Sequence, residues 1–168
     1  ASVRRVLESG QTNRGEGTLI QWVDLPWNSS AMPNGGVNAI VGVNNAAASV
    51  QRISRSSGVV YAPRISDGIS NASIAGEFAA GRYAFISQWS ATTGKMRVGR
   101  YNPSTRILTW GSWSTYRGFF PIYGTGSQQR LRWGYGLTGF PLGIGEMGWF
   151  NRILSNSEIL QFCEETKI

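Results

Sequence analysis

Short apolar segments separated by glycine-containing turns limit the fold of this chain more than any other sequence feature. Glycine makes up 22 of the 168 residues and occurs along the whole chain, at nearly twice its usual share of ~7%. Each glycine inside a helix costs about 1 kcal/mol, which excludes a helical bundle. Hydrophobic residues make up 41% of the chain, which is enough for a core and excludes ordinary disorder. The length suits one domain spanning residues 1–168.

Seven segments alternate apolar and polar residues and end at turn residues. A period of two is typical of half-buried antiparallel strands, and turns at this spacing favour a sandwich or a barrel. The predicted strands are residues 17–25, 37–43, 58–65, 82–90, 95–101, 105–110 and 129–133. The two longest predicted loops are residues 28–36 and 111–128.

One helix is predicted, near the C-terminal end of the sequence. Ser155 and Glu158 form the capping-box pattern S-x-x-E. Ile159, Phe162 and Cys163 then follow at helical spacing on one apolar face, so the helix should run over about 156–165. We interpret Cys163 as a buried small apolar residue rather than a nucleophile.

The residue counts exclude several chemistries. The chain has no histidine and one cysteine, so it can form neither a Ser-His-Asp triad, nor a Cys-His pair, nor an internal disulfide. The common zinc sites are excluded too, and Asp24 and Asp67 are too isolated to suggest calcium. We therefore expect no metal and no other cofactor. No apolar segment approaches the ~18 residues of a membrane span, and no signal peptide is recognisable after Ala1.

Basic residues outnumber acidic ones 16 to 9, which gives a net charge of +7. Almost all of them are arginine, which suits bidentate contacts to carboxylate or phosphate. An acidic partner is therefore expected: an anionic polysaccharide, an acidic protein surface or nucleic acid. Nucleic acid is the least favoured, because no RRM, KH or helix-turn-helix pattern accompanies the charge.

The segment 144–162 reads IGEMGWFNRILSNSEILQF. It resembles the closing segment of laminin G-like domains, which belong to the concanavalin A-like lectin/glucanase superfamily. The matching steps are Phe150-Asn151-Arg152, Leu154-Ser155 and Glu158-Ile159. Residues 17–26 resemble the opening core strand of that family, and residues 81–102 resemble its central hairpin.

This resemblance covers about residues 15–165 and implies an all-β fold, an antiparallel β-sandwich of the jelly-roll type with one short C-terminal helix. Met147 and Trp149 would enter the core, and the helix would cover an end of the sandwich. Trp22, Trp149 and Leu154 should then be buried. The fold itself implies no function, because it supports lectins, hydrolases and structural modules.

Catalysis is not expected. Glycoside hydrolysis needs two carboxylates at a fixed separation, which the glucanases of this superfamily place on one strand face. None of the first six acidic residues shares a strand with another at a spacing of two or four residues, and Glu146 stands alone. We therefore predict no catalytic residue and no enzyme activity.

A ligand surface is predicted in the segment 110–117, WGSWSTYR, where aromatic residues alternate with small polar ones. Trp113, Tyr116 and Arg117 are the predicted binding residues, because loops on a rigid scaffold often carry recognition. In the alternative interpretation, Trp110 and Tyr116 share one strand face and point into the core.

We favour a non-catalytic module at a virion surface: a capsid decoration, a head fibre or a tail appendage that packs on other subunits. In this interpretation, residues 1–14 are an N-terminal arm or an edge strand, and a homo-oligomer or an acidic glycan ligand would fit. The first alternative is a free carbohydrate-binding lectin, secreted or at a cell surface. A polysaccharide-acting enzyme is the second.

Overall fold

The computed structural model describes residues 15–35, 37–43, 48–117, 131–135 and 142–167. These residues form two antiparallel sheets. In chain order, the strands are β1 (Glu16–Leu25), β2 (Val37–Val43), β3 (Ala48–Ser56), β4 (Val59–Asp67), β5 (Asn71–Ala75), β6 (Gly81–Ser90), β7 (Lys95–Asn102), β8 (Ile107–Trp110), β9 (Ser114–Thr115), β10 (Leu131–Tyr135) and β11 (Gly143–Phe150). One α-helix, α1 (Asn156–Thr166), follows, and a short 3-10 turn spans Ser29–Ala31.

The six-stranded sheet has the order β11-β1-β6-β7-β8, and β9 also pairs with β7. The five-stranded sheet has the order β10-β2-β3-β4-β5. Every strand pair is antiparallel. The predicted fold class, an all-β antiparallel sandwich with one C-terminal helix, is confirmed. The predicted arm or edge strand at 1–14 lies outside the described residues.

All seven predicted strands are present, with ends within two residues of the prediction. β11 corresponds to the closing strand that the resemblance implies at 144–150, whereas the three remaining strands, β3, β5 and β9, were not predicted. In β3, Val50 and Ile53 both enter the main core although they are three residues apart. Register irregularities on both sides of Arg52 make this possible. A bulge of this kind destroys the period of two on which a strand prediction depends.

The main core lies between the two sheets. The six-stranded sheet contributes inward-facing residues such as Leu19 and Phe85, and the five-stranded sheet contributes Ile53 and Ile65, all fully buried. Met147 and Trp149 pack against this core, as predicted. Trp149 is half-buried rather than buried, and the edge of its ring meets Trp89, with ring centroids 5.5 Å apart.

A second core lies on the outer face of the six-stranded sheet, between that sheet and α1. Outward-facing Ile20, Trp22 and Ile86 pack there with Ile159 and Cys163 of the helix. The expectation that the helix covers an end of the sandwich is therefore wrong: α1 lies on a sheet face, because β1 and β6 are apolar on both sides.

Hydrogen bonds fasten α1 to the sheet. The indole Nε1 of Trp22 donates to Thr166 Oγ1 over 2.7 Å, and the Tyr101 hydroxyl donates to Glu164. The predicted capping box is present, with Glu158 N–H donating to Ser155 Oγ and Ser155 N–H donating to Glu158 Oε2. 

Three side chains of the second core are buried, as predicted. Trp22, Leu154 and Cys163 are at most 3% exposed. Burial raises the pKa of the Cys163 thiol to about 12, with a smaller contribution from the charge of Glu164. A thiol with so high a pKa is a poor nucleophile at neutral pH, which agrees with its interpretation as a core residue.

Candidate functional site

A groove of about 360 Å³ opens beside β7 and β8. It lies on the face of the six-stranded sheet that faces the other sheet, because Arg100 alternates with the outward-facing Tyr101. Ile107 of β8 is 59% exposed in this region. The lining residues are Glu77, Phe78, Ala79, Tyr83, Arg100, Asn102, Thr105, Ile107 and Thr109.

The guanidinium of Arg100 lies above two aromatic rings of this groove. It is 5.2 Å from the centre of the Phe78 ring and 6.0 Å from that of Tyr83. The two rings meet edge to face with centroids 5.6 Å apart, and the Tyr83 hydroxyl donates to the carbonyl of Ala79. Arg100 Nη1 donates to the carbonyl of Ala62 over 3.3 Å. The aromatic rings, the carbonyl and the guanidinium thus hold one another in place.

Arg100 keeps its positive charge although it is partly desolvated. Burial lowers the pKa of its guanidinium, and the nearby Tyr83 partly offsets this effect. No ion pair among the described residues includes Arg100. A partly buried cation without an ion-pair partner among the described residues favours an anionic or strongly hydrogen-bonding ligand.

The lining residues of the groove have the chemistry of a site that recognises a polar ligand. Aromatic rings, an amide, hydroxyls and one guanidinium surround it, as in sites that orient polar ligands against an apolar wall. Among its described lining residues, Glu77 is the only carboxylate, whereas glycoside hydrolysis needs two. No group of three His, Cys, Asp or Glu suitable for a metal was found among the residues that the structure describes.

The sequence contained one signal for this groove that the predictions did not use. Arg100 lies on the same face of β7 as Met96 and Val98, which are both fully buried. A charged residue at an apolar position of an alternating strand indicates either a buried pair or a cavity.

The three predicted binding residues have different surroundings. The Trp113 side chain is 45% exposed, whereas Tyr116 is 2% exposed and belongs to the main core. The prediction of Tyr116 as a surface residue is therefore wrong. The chain turns inward after β9, and the backbone N–H of Tyr116 donates to the carbonyl of Gly94. The role of Trp113 in ligand binding stays a prediction. Residues 118–128 of the predicted loop lie outside the described residues.

Arg117 binds a buried carboxylate within the protein. Its Nε donates to Asp67 Oδ2 over 3.1 Å, and its Nη2 donates to the Asp67 carbonyl over 2.6 Å. Asp67, fully buried, also accepts N–H bonds from Ile69 and Ser70. Burial by itself would raise the pKa of Asp67, but the backbone bonds and Arg117 outweigh it and lower the pKa. A ligand role for Arg117 stays untested, and its observed contacts are structural.

Trp113 belongs to a different cluster, on the outer face of the six-stranded sheet. We call Trp110, Arg97 and Trp113 the tryptophan clamp. The Arg97 guanidinium carbon is 3.7 Å from the centre of the Trp110 ring and 4.4 Å from that of Trp113. Trp110 covers Gly99 so closely that a Cβ there would be 2.9 Å from the ring. The sequence singled out both tryptophans, but not Arg97.

No known protein family matches the chain, and no curated protein matches it in sequence. Solved structures with the same fold include the binding domain of botulinum neurotoxin D/C in complex with SialylT, with a TM-score of 0.55 and 9% identity. The same domain in complex with rat synaptotagmin II has a TM-score of 0.53 and 8% identity, and the binding domain of botulinum neurotoxin serotype C1 has a TM-score of 0.51 and 10% identity.

Each of these likenesses covers 92% of this chain but only 36–37% of the other. The chain thus spans little more than a third of the length of these neighbours. At such low sequence identity the likeness shows the fold, a β-sandwich also found in binding domains. Among the described residues, no helix is long and apolar enough to cross a membrane.

Proposed function

We propose that this protein is a non-catalytic binding module that takes a saccharide in the groove beside β7 and β8. One observation carries the proposal: Arg100, partly buried and without an ion-pair partner among the described residues, stands above two aromatic rings in an open groove. Aromatic surface suits the apolar side of a sugar ring, and the guanidinium suits its hydroxyl or carboxylate groups. The volume lies near the lower end of ordinary ligand sites, which are about 300–1,000 Å³.

The structural neighbours support a binding role without identifying the ligand. These neighbours are binding domains, one of them in complex with SialylT and another with rat synaptotagmin II. For this chain, an acidic glycan is the ligand class that best fits both Arg100 and the net charge of +7.

The setting that we propose is the surface of a virion, where the module would pack on other subunits as a capsid decoration, fibre or tail appendage. The low charged fraction, 15% against a typical ~25%, supports a rigid module surrounded by neighbours. A secreted or cell-surface lectin is the alternative. Immunogold labelling of purified particles distinguishes the two, because a free lectin would leave the particles unlabelled.

Replacement of Arg100 tests the groove. Binding of the purified protein to a glycan array should identify ligands, and R100Q should weaken the best of them about tenfold or more, the value of a charged hydrogen bond. R64Q is the matched control, because Arg64 also lies near an aromatic ring, 5.6 Å from the centre of Tyr61, but on the other sheet. Equal binding by wild type and R100Q, with R100Q folded, would exclude the groove.

The absence of catalysis is a separate prediction. Incubation with a panel of polysaccharides should release no new reducing or unsaturated ends, because hydrolysis needs two carboxylates. Glu77 is the only carboxylate among the described lining residues of the groove, and no Asp or Glu lies two or four residues from Glu146. Turnover that disappears in E77Q or E146Q would overturn the prediction.

A further inference from the structure

The tryptophan clamp fixes the Arg97 guanidinium in place, with only its Nε in a hydrogen bond among the described residues. Arg97 Nε donates to Gln88 Oε1 over 2.9 Å. The guanidinium carbon lies over both indole rings, 3.7 Å from the centre of the Trp110 ring and 4.4 Å from that of Trp113. These contacts occupy one of its five N–H groups, whereas its Nη1 and Nη2 groups have no hydrogen-bond partner among the described residues.

Gln88 and Trp110, which contact Arg97, are fixed by hydrogen bonds of their own. Gln88 is fully buried, and its Nε2 donates to the carbonyl of Leu154 over 2.8 Å and to Thr18 Oγ1 over 3.3 Å. Trp110 Nε1 donates to Asn156 Oδ1 over 3.1 Å, at the start of α1. The guanidinium is therefore positioned before any ligand arrives, which reduces the entropy lost on binding.

No ion pair among the described residues includes Arg97. Burial lowers the pKa of its guanidinium. An arginine stacked on aromatic rings presents its remaining donors in one plane, the geometry that matches a carboxylate or sulfate.

We propose that the tryptophan clamp is a second ligand site, which binds an oxyanion carried by a saccharide. The Arg97 Nη groups hold the oxyanion, and the exposed part of Trp113 contacts the sugar ring. Tyr116 and Arg117 take no part, because the core and Asp67 hold them. The site lies on the outer face of β7, whereas the groove lies on the inner face. The inference shares only the ligand class with the proposed function.

A saccharide fits this surface better than a protein does. A stable protein interface needs about 800 Å² on each side and an apolar centre. Among the described clamp residues and their neighbours, Trp113 is the only large apolar side chain that is exposed. The segment around it contains Ser112, Ser114 and Thr115, which suit hydroxyl-bearing ligands.

Titration calorimetry with three oligosaccharide probes tests the site: oligogalacturonate, its methyl ester and a sulfated oligosaccharide. Oligogalacturonate, the sulfated probe or both should bind, and the methyl ester should bind about tenfold more weakly or not at all. R97K keeps the net charge but loses the planar fork, and it should weaken binding by about the same factor. R64K is the matched control and should bind like the wild type.

A second variant guards against loss of structure. Trp113 is 45% exposed, so W113A should keep the melting temperature while it weakens binding. Either of two results would overturn the inference: binding equal for acid and ester, or binding unchanged in both R97K and W113A. Tighter binding of oligoglutamate than of the acidic sugars would assign the surface to a protein partner instead.

The variants also separate this site from the groove. Loss of binding in R97K with full binding in R100Q supports the clamp and counts against the groove. The reverse result supports the groove and overturns the clamp. If both variants lose part of the binding, both sites contribute.

Discussion

Arg117 and Asp67 show how one residue pair joins two distant parts of the sandwich. Asp67 ends β4, and Arg117 follows β9, 50 residues later. The Asp67 side chain is fully buried, whereas that of Arg117 is 29% exposed. Removal of one partner from such a pair leaves a buried charge without compensation, which costs far more than the loss of a surface ion pair.

We therefore expect R117A to lower the free energy of unfolding by about 3 kcal/mol in urea denaturation. R152A is the control: Arg152 and Glu158 form an ion pair whose side chains are 59% and 39% exposed, so that its loss should cost much less than the loss of the Arg117 pair. Similar small losses for both variants would show that the Arg117 pair contributes little.

The same pair predicts a dependence on pH. The pKa of Asp67 is lower in the folded protein than its unfolded value of about 3.9. A lowered pKa means that the stabilisation is complete above about pH 4 and is lost as the pH falls through the folded pKa. The stability difference between wild type and R117A should therefore shrink on acidification. A difference that stays constant down to pH ~2 would contradict this assignment.

At the scale of the elements, Gly148 of β11 determines how closely α1 approaches the sheet. A Cβ at Gly148 would lie 2.8 Å from both the Phe150 and the Phe162 ring. These two rings pack edge to face, with centroids 5.9 Å apart. We expect G148A to cost about 1–3 kcal/mol in denaturation, the usual range for overpacking. Gly15 has no atom within 4 Å of a Cβ, so G15A should be nearly neutral. Equal effects would refute the packing argument.

Sequence signals predict the elements best where they are local. The S-x-x-E capping pattern marks the start of α1 correctly, because both of its hydrogen bonds lie within four residues. β3 was missed because its bulge changes the alternation that identifies a strand. The sequence left open whether Tyr116 faces solvent or the core, since its inward turn depends on contacts with the distant Gly94 and the main core.

For the molecule as a whole, β1 and β6 connect the two cores. Leu19 and Phe85 face the other sheet, whereas Ile20 and Ile86, one residue further along each strand, face the helix. The apolar content of 17–25 predicted a strand, but not that both of its faces would be covered. The groove and the clamp were even less predictable, because the inner and outer faces of β7 acquire different neighbours only after the sheets form.

This arrangement predicts that the sandwich and the helix unfold together. Ile159 of α1 is fully buried against the six-stranded sheet, so I159A should cost about 2–5 kcal/mol. Because β1 and β6 contribute to both cores, loss of the Ile159 side chain should lower the unfolding midpoint of the whole molecule. It should not detach α1 from a sandwich that stays folded. Far-ultraviolet circular dichroism and tryptophan fluorescence should then give coincident transitions in wild type and variant. An earlier transition of α1 alone would show that the helix is an independent unit, and the two-core argument would fail.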